Sequence, residues 1–124
     1  MAVSWRFVGR VLIVTEAGAN SNDEIERAFV GEALSDPRCG QGGARVMWDS
    51  RTSQKALSPE DVEWRMDYLR SLAEEGRLAK LALLAREDQR ATAALAESEV
   101  PKVTRPLEFS VFTDEARALS WLVG

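Results

Sequence analysis

The sequence predicts one α/β domain spanning residues 1–124, built on a mixed, mostly parallel five-stranded sheet with about four helices. Three observations carry that expectation. Short apolar runs rich in β-branched residues alternate with segments whose apolar residues recur at helical spacing. The first two strand-like runs are separated only by Gly9-Arg10, and glycine at the first of two loop residues suits a tight hairpin. Helix-start signals then stand between the later runs.

The elements follow in order. Residues 3–8 alternate, with Val3, Trp5 and Phe7 on one face, as in a strand with one wet side. Val11 to Thr15 is continuously apolar and β-branched, as in a strand covered on both faces. Ser21 with Glu24 forms a capping-box pattern ahead of Ile25, Ala28, Phe29 and Ala33. Asp36-Pro37 and the run CGQGG from Cys39 end that helix, and Ala44 to Asp49 reads as the next strand, leaving the core at a hydroxyl-rich loop. Ser58 caps a second helix with Pro59 in its first turn, where a missing N–H costs nothing. Val62, Met66, Leu69, Leu72 and Ala73 are its buried stripe, and Gly76 stops it. Ala79 to Ala85 reads as an interior strand, and Asp88 to Glu99 as a helix with a thin face of Ala91, Ala94 and Leu95. Leu107 to Phe112 is a last strand, and Thr113 caps a final helix through Ala116, Leu119 and Leu122. The order is ββαβαβαβα: the first strand is an antiparallel edge and the others lie parallel through right-handed crossovers.

Composition narrows the function. The chain carries 16 lysines and arginines against 20 aspartates and glutamates, a net charge of −4, which speaks against nucleic-acid binding through a basic face. With no histidine, Ser-His-Asp and Cys-His sites cannot be built, and the commonest neutral-pH base and metal ligand are missing. The lone Cys39 excludes an internal disulfide and suits a reducing compartment. No run approaches the roughly 20 apolar residues of a membrane helix, and MAVSWRFVGRVLIV reads as strands rather than a secretory leader. The expectation is a cytoplasmic protein that needs no cofactor.

The C-terminal FSVFTDEARALSWL, the strand ending VMWD, the S-P-E helix start after it and the apolar run before Arg86 resemble the STAS-like anti-sigma-factor antagonists. The match is closer to the SpoIIAA-like branch, which is related in fold to Sec14-type lipid-transfer domains, and it covers nearly the whole chain. Its motifs are mostly structural. The resemblance implies a non-enzymatic regulatory module and a phosphorylatable serine in an Asp-Ser-Ser-Gly-like turn at the second helix. Here that segment runs DSRTSQKALSPE without the glycine, so Ser50, Ser53 and Ser58 are present but none stands in the family motif. Ser53 and Ser58 are the candidate phosphorylation sites. At Ser58 the plain helix-cap role also suffices.

In an open α/β sheet, ligands bind beyond the carboxyl ends of the strands. Those ends would gather Asp49, Arg51, Ser53, Arg86, Asp88 and Arg90, whose arginine forks suit a phosphate or carboxylate. Mutual ion pairing of solvated loop ends explains the same residues, and Asp49 alone could cap the loop backbone. The CGQGG run precedes a strand, whereas nucleotide-binding glycine loops follow one, so it reads as a turn. The acidic pairs Asp23-Glu24, Glu60-Asp61, Glu74-Glu75 and Glu87-Asp88 suit helix ends, and their spacing suggests no metal site.

Trp64 and Tyr68 stand four apart beside the buried stripe of the second helix. They either extend the core, form an aromatic surface strip with Trp48 for a protein partner or a second copy, or lid an apolar pocket. The leading expectation is therefore a binding module acting through protein contacts, a homodimer included. The alternative is a carrier or sensor of a small anionic ligand or lipid at the strand ends. An enzyme using Asp49 or Asp88 as base ranks third.

Overall fold

Alternation decides which faces of the strands are buried. The computed structural model describes residues 2–18, 24, 25, 27–39, 43–53, 59–89, 94 and 108–124. Five strands, β1 (Ala2–Val8), β2 (Val11–Gly18), β3 (Ala44–Ser53), β4 (Leu78–Leu84) and β5 (Glu108–Phe112), lie side by side in sequence order. β1 is antiparallel to β2, and every other neighbouring pair is parallel. The expected mixed sheet with an antiparallel edge strand is therefore the one observed. Among the described residues the helices are α1 (Arg27–Ala33), α2 (Pro59–Glu74) and α3 (Glu115–Val123). This is one fewer than the sequence suggested. The expected helix from Asp88 to Glu99 falls mostly outside the described residues, and its start is a 3-10 turn at Glu87–Gln89.

One face of the sheet presents Leu12, Val14, Val46, Trp48 and Leu81 to Phe29, Ala33 and Leu34 of the α1 segment and to Leu72 and Ala73 of α2. The other presents Val11, Ile13, Met47, Ala82 and Leu84 to Ala118 and Leu122 of α3. β2 thus reads as an unbroken apolar run because both of its faces are covered. Val3, Trp5 and Phe7 of β1 pack on the first face only, while Ser4, Arg6 and Val8 are exposed.

Local departures have local causes. α1 is a π-helix, and Leu34 N–H donates to the carbonyl of Phe29, five residues back, at 2.8 Å. That wider turn brings Leu34 into the core beside the expected Phe29 and Ala33. The Ser21 cap of this segment lies outside the described residues. At α3 the N-cap is Asp114, not Thr113: its carboxylate accepts from Ala116 N–H and Arg117 N–H, two and three residues on, as an N-cap side chain does. The buried stripe is accordingly Ala118 and Leu122, and Ala116 is exposed.

Because α3 buries so little, polar contacts help to seat it. Arg45 Nη1 donates to the Leu122 carbonyl at 2.7 Å, and Lys80 Nζ to the Trp121 carbonyl at 2.8 Å, 4.6 Å from the Trp121 ring centroid. Two cations adjacent across β3 and β4 meet the negative end of the helix, where each contributes about 0.3–1 kcal/mol. No described helix is long and apolar enough to cross a membrane.

Glycine is required at Gly43, where β3 begins. Its φ is +98°, and a Cβ there would stand 3.0 Å from the Ala79 amide nitrogen and 3.1 Å from the Leu78 carbonyl carbon. At Gly9 in the hairpin, φ is +60° but nothing lies within 4 Å. Gly43→Ala is expected to lower unfolding stability by about 2–3 kcal/mol and Gly9→Ala by only about 1 kcal/mol, read from urea midpoints. Equal losses would mean the contact with β4 carries no weight.

Candidate functional site

The sequence places a loop directly after Asp49, but Ser50 to Ser53 continue the strand. β2 and β3 stay paired beyond Asp49, with Ala17 opposite Thr52 and Gly18 opposite Ser53. β4 pairs with β3 only as far as Asp49–Leu84. The two longer strands project past their neighbour, and side chains take over the unshared backbone groups. Arg86 Nη1 donates to the Arg51 carbonyl, and Gln89 Nε2 to the Ser50 carbonyl at 3.0 Å. Ser50 Oγ donates to the Leu84 carbonyl at 3.0 Å and Thr52 Oγ1 to the Glu16 carbonyl at 2.9 Å.

The carboxyl ends therefore do share one rim, with Asp49, Arg51, Arg86 and Asp88 on it. Their charges are mutually engaged. Asp49 accepts from Arg51 Nε at 3.0 Å and Nη2 at 2.9 Å, and its Oδ1 also accepts the Arg51 backbone N–H at 3.1 Å. Arg86 Nε donates to Asp88 at 2.9 Å, in an exposed pair that contributes little. Burial pushes the Asp49 carboxyl up, but the side-chain and backbone hydrogen bonds from Arg51 outweigh it and hold it below its ordinary 3.8. Asp49 in turn raises Arg51, against the effect of burial, with Glu115 of α3 adding to the rise. Ser53 belongs to the rim by its backbone pairing, and Arg90 and Ser58 lie outside the described residues. An open hollow of about 300 Å³ lies further along the same rim. It is lined by Val111, Phe112, Thr113, Asp114 and Arg117, none of them among the expected ligand residues. Among the described residues no three cysteines or carboxylates converge as metal ligands would.

On α2, Trp64 is 37% exposed, whereas Tyr68 is half-buried and packs against the core. Their rings meet edge to face, 5.3 Å apart. Trp48 does not join them at the surface. It is a core residue, 5.1 Å from the Phe29 ring, because position 48 on β3 points to the α1 and α2 face.

A cluster that sequence reasoning missed ties the helix to the rim. Glu16, fully buried where the register of β2 shifts, accepts from Trp48 Nε1 at 2.9 Å and from Arg65 of α2 at 2.9 and 3.3 Å. Arg65 Nε is buried without a hydrogen-bond partner among the described residues. The available signal was a lone glutamate closing the apolar run VLIVTE, together with an arginine inside the apolar stripe of the second helix.

No protein-family model matches the chain, and no curated protein does. A solved structure does: the crystal structure of an uncharacterized protein from Shewanella loihica PV-4, of the DUF3478 family and described as having a SpoIIAA-like fold. It is similar with a TM-score of 0.61 and 18% identity, over 98% of this chain and 92% of that one. The fold is thus SpoIIAA-like, as the resemblance implied.

Two outcomes follow from this geometry. Glu16→Ala or Arg65→Ala alone is expected to cost about 3–5 kcal/mol of stability, because each leaves a buried charge unpaired. Replacing both by leucine is expected to cost much less, and equal losses in urea unfolding would count against the pair. Carbon-detected NMR should place the Asp49 midpoint below 3.8 and, in Arg51→Ala, higher than in the unsubstituted protein, since the side-chain hydrogen bonds are lost while the residue-51 backbone N–H still donates. The pair's stabilisation is accordingly present above 3.8 and lost as pH falls through the lower folded-state value.

Proposed function

We propose that residues 1–124 form one non-enzymatic binding module that acts through protein–protein contacts on the outward face of α2. The observation that carries this reading is Trp64, a large aromatic left exposed on a helix whose opposite side is fixed by Val62, Met66 and the Glu16–Arg65 contact. Exposed aromatics on rigid supports are the usual anchors of protein interfaces. Interaction modules are also what the SpoIIAA-like fold suggests.

Catalysis has less behind it. A general base at neutral pH works best with a raised carboxyl pKa, and Asp49 is shifted the other way. A carrier of an anionic ligand or lipid is also less supported, since the forks of Arg51 and Arg86 already hold Asp49 and Asp88.

A photo-crosslinker placed at Ser71, exposed on α2, is expected to capture a defined protein in cell extract. Trp64→Ala should abolish that capture while shifting unfolding stability by no more than about 1 kcal/mol. Placed at Asp88, the same probe should capture nothing. If instead the freshly purified protein carries a lipid-sized adduct in native mass spectrometry, lost in Arg51→Ala, the carrier reading replaces this one.

A further inference from the structure

The outward face of α2 is charged as well as aromatic. Around Trp64, the exposed residues of the helix and the turn after it include Glu60, Glu63, Asp67, Glu74 and Glu75. Arg65 does not offset them, because its fork is turned inward to Glu16. Arg70 does, through its pair with Asp67. Removing these five carboxylates and this one guanidinium from the chain's 20 and 16 leaves 15 of each sign. The exposed residues counted on α2 and the turn after it thus carry an acidic excess as large as the chain's net charge of −4. Glu60 and Glu63 have no ion-pair partner among the described residues.

The aromatic points to the same chemistry independently. Elsewhere the chain sets its own cations over its rings, with the Arg38 guanidinium 4.3 Å from the Phe7 centroid and Lys80 Nζ 4.6 Å from that of Trp121. Trp64, the most exposed of its large aromatics, has no such cation among the described residues. A tryptophan flanked by carboxylates one helical turn away on either side, at Glu60 and Asp67, attracts a cation through its ring and through charge together.

We propose that the α2 face docks an arginine- or lysine-bearing segment of a protein partner, with one cationic side chain over Trp64 and others at Glu60 and Glu63. This rests on the reading of α2 as the contact face and adds the partner's chemistry. It also disfavours a second copy. A two-fold dimer through this face would set the same carboxylates against one another, and like charges juxtaposed across an interface oppose association.

The test uses synthetic peptides alternating arginine with alanine or glutamate with alanine. The readout is the Trp64 indole N–H resonance, assigned by its loss in Trp64→Phe. The arginine peptide is expected to shift that resonance and leave those of Trp5 and Trp121 in place, and the glutamate peptide to shift none. Glu60→Gln with Glu63→Gln should weaken the arginine peptide about tenfold, as should raised salt. Equal response to both peptides, an unchanged affinity in the double variant, or a dimer dispersed by Trp64→Ala overturns the cationic partner. Each of these leaves the contact face itself standing. If Trp64 does not move and the Ser71 probe captures nothing, the contact face falls too.

Discussion

The fold positions its surfaces through one buried contact, that of Glu16 with Arg65 and Trp48. A carboxylate with no exposed area is costly unless it is paired and hydrogen-bonded. Here it is held by a guanidinium from α2 and an indole N–H from β3, so three elements meet on two oxygen atoms. Hydrophobic contacts between α2 and the sheet are non-directional, and Val62, Met66 and Leu72 would tolerate some sliding. The charged contact does not, because a displaced helix would leave a buried charge unpaired. It sets where α2 sits along the strands, and therefore which of its residues look outward.

The same economy of charge organises the rim. β2 and β3 outrun β4, and a projecting pair of strands exposes backbone groups that need partners. Arg86, Gln89, Ser50 and Thr52 supply them. The Asp49–Arg51 pair then quenches the charges left over. Of the arginine forks that the sequence gathers there, Arg51 is engaged with Asp49, and Arg86 with Asp88 and with the Arg51 carbonyl at the edge of the sheet.

The fold was largely legible in the sequence because it depends on periodicity. The unbroken run Val11–Val14, the hairpin at Gly9-Arg10 and the stripe from Val62 to Ala73 each have one reading, and the sheet order follows from joining them. The strand extension to Ser53 was not legible, since SRTS has no apolar signal and is held by the backbone of β2 and by side chains of a later turn. Asp114 displaced Thr113 as cap because a one-residue choice between two good caps depends on where the chain leaves β5. Of the alternatives open to Trp48, a place in a surface strip is the one it does not take, because its face follows from strand register, which an isolated aromatic does not reveal. The Glu16–Arg65 contact joins residues 49 positions apart, and nothing local marks them as partners.

Charge is thus used in two ways. At the rim and beneath α2, opposite charges are paired within the chain, and such pairs offer little to a visitor: any ligand must first displace a partner already held at about 2.9 Å. On the outward side of α2, Glu60 and Glu63 have no ion-pair partner among the described residues, and Trp64 stands beside them. Long-range attraction is strongest where charges of one sign are grouped and not cancelled locally. The distribution of pairing, more than the number of charged residues, separates the face that is finished from the face that is available. The buried Glu16 adds to that distinction by holding Arg65 on the inner side of the helix, away from the outward carboxylates.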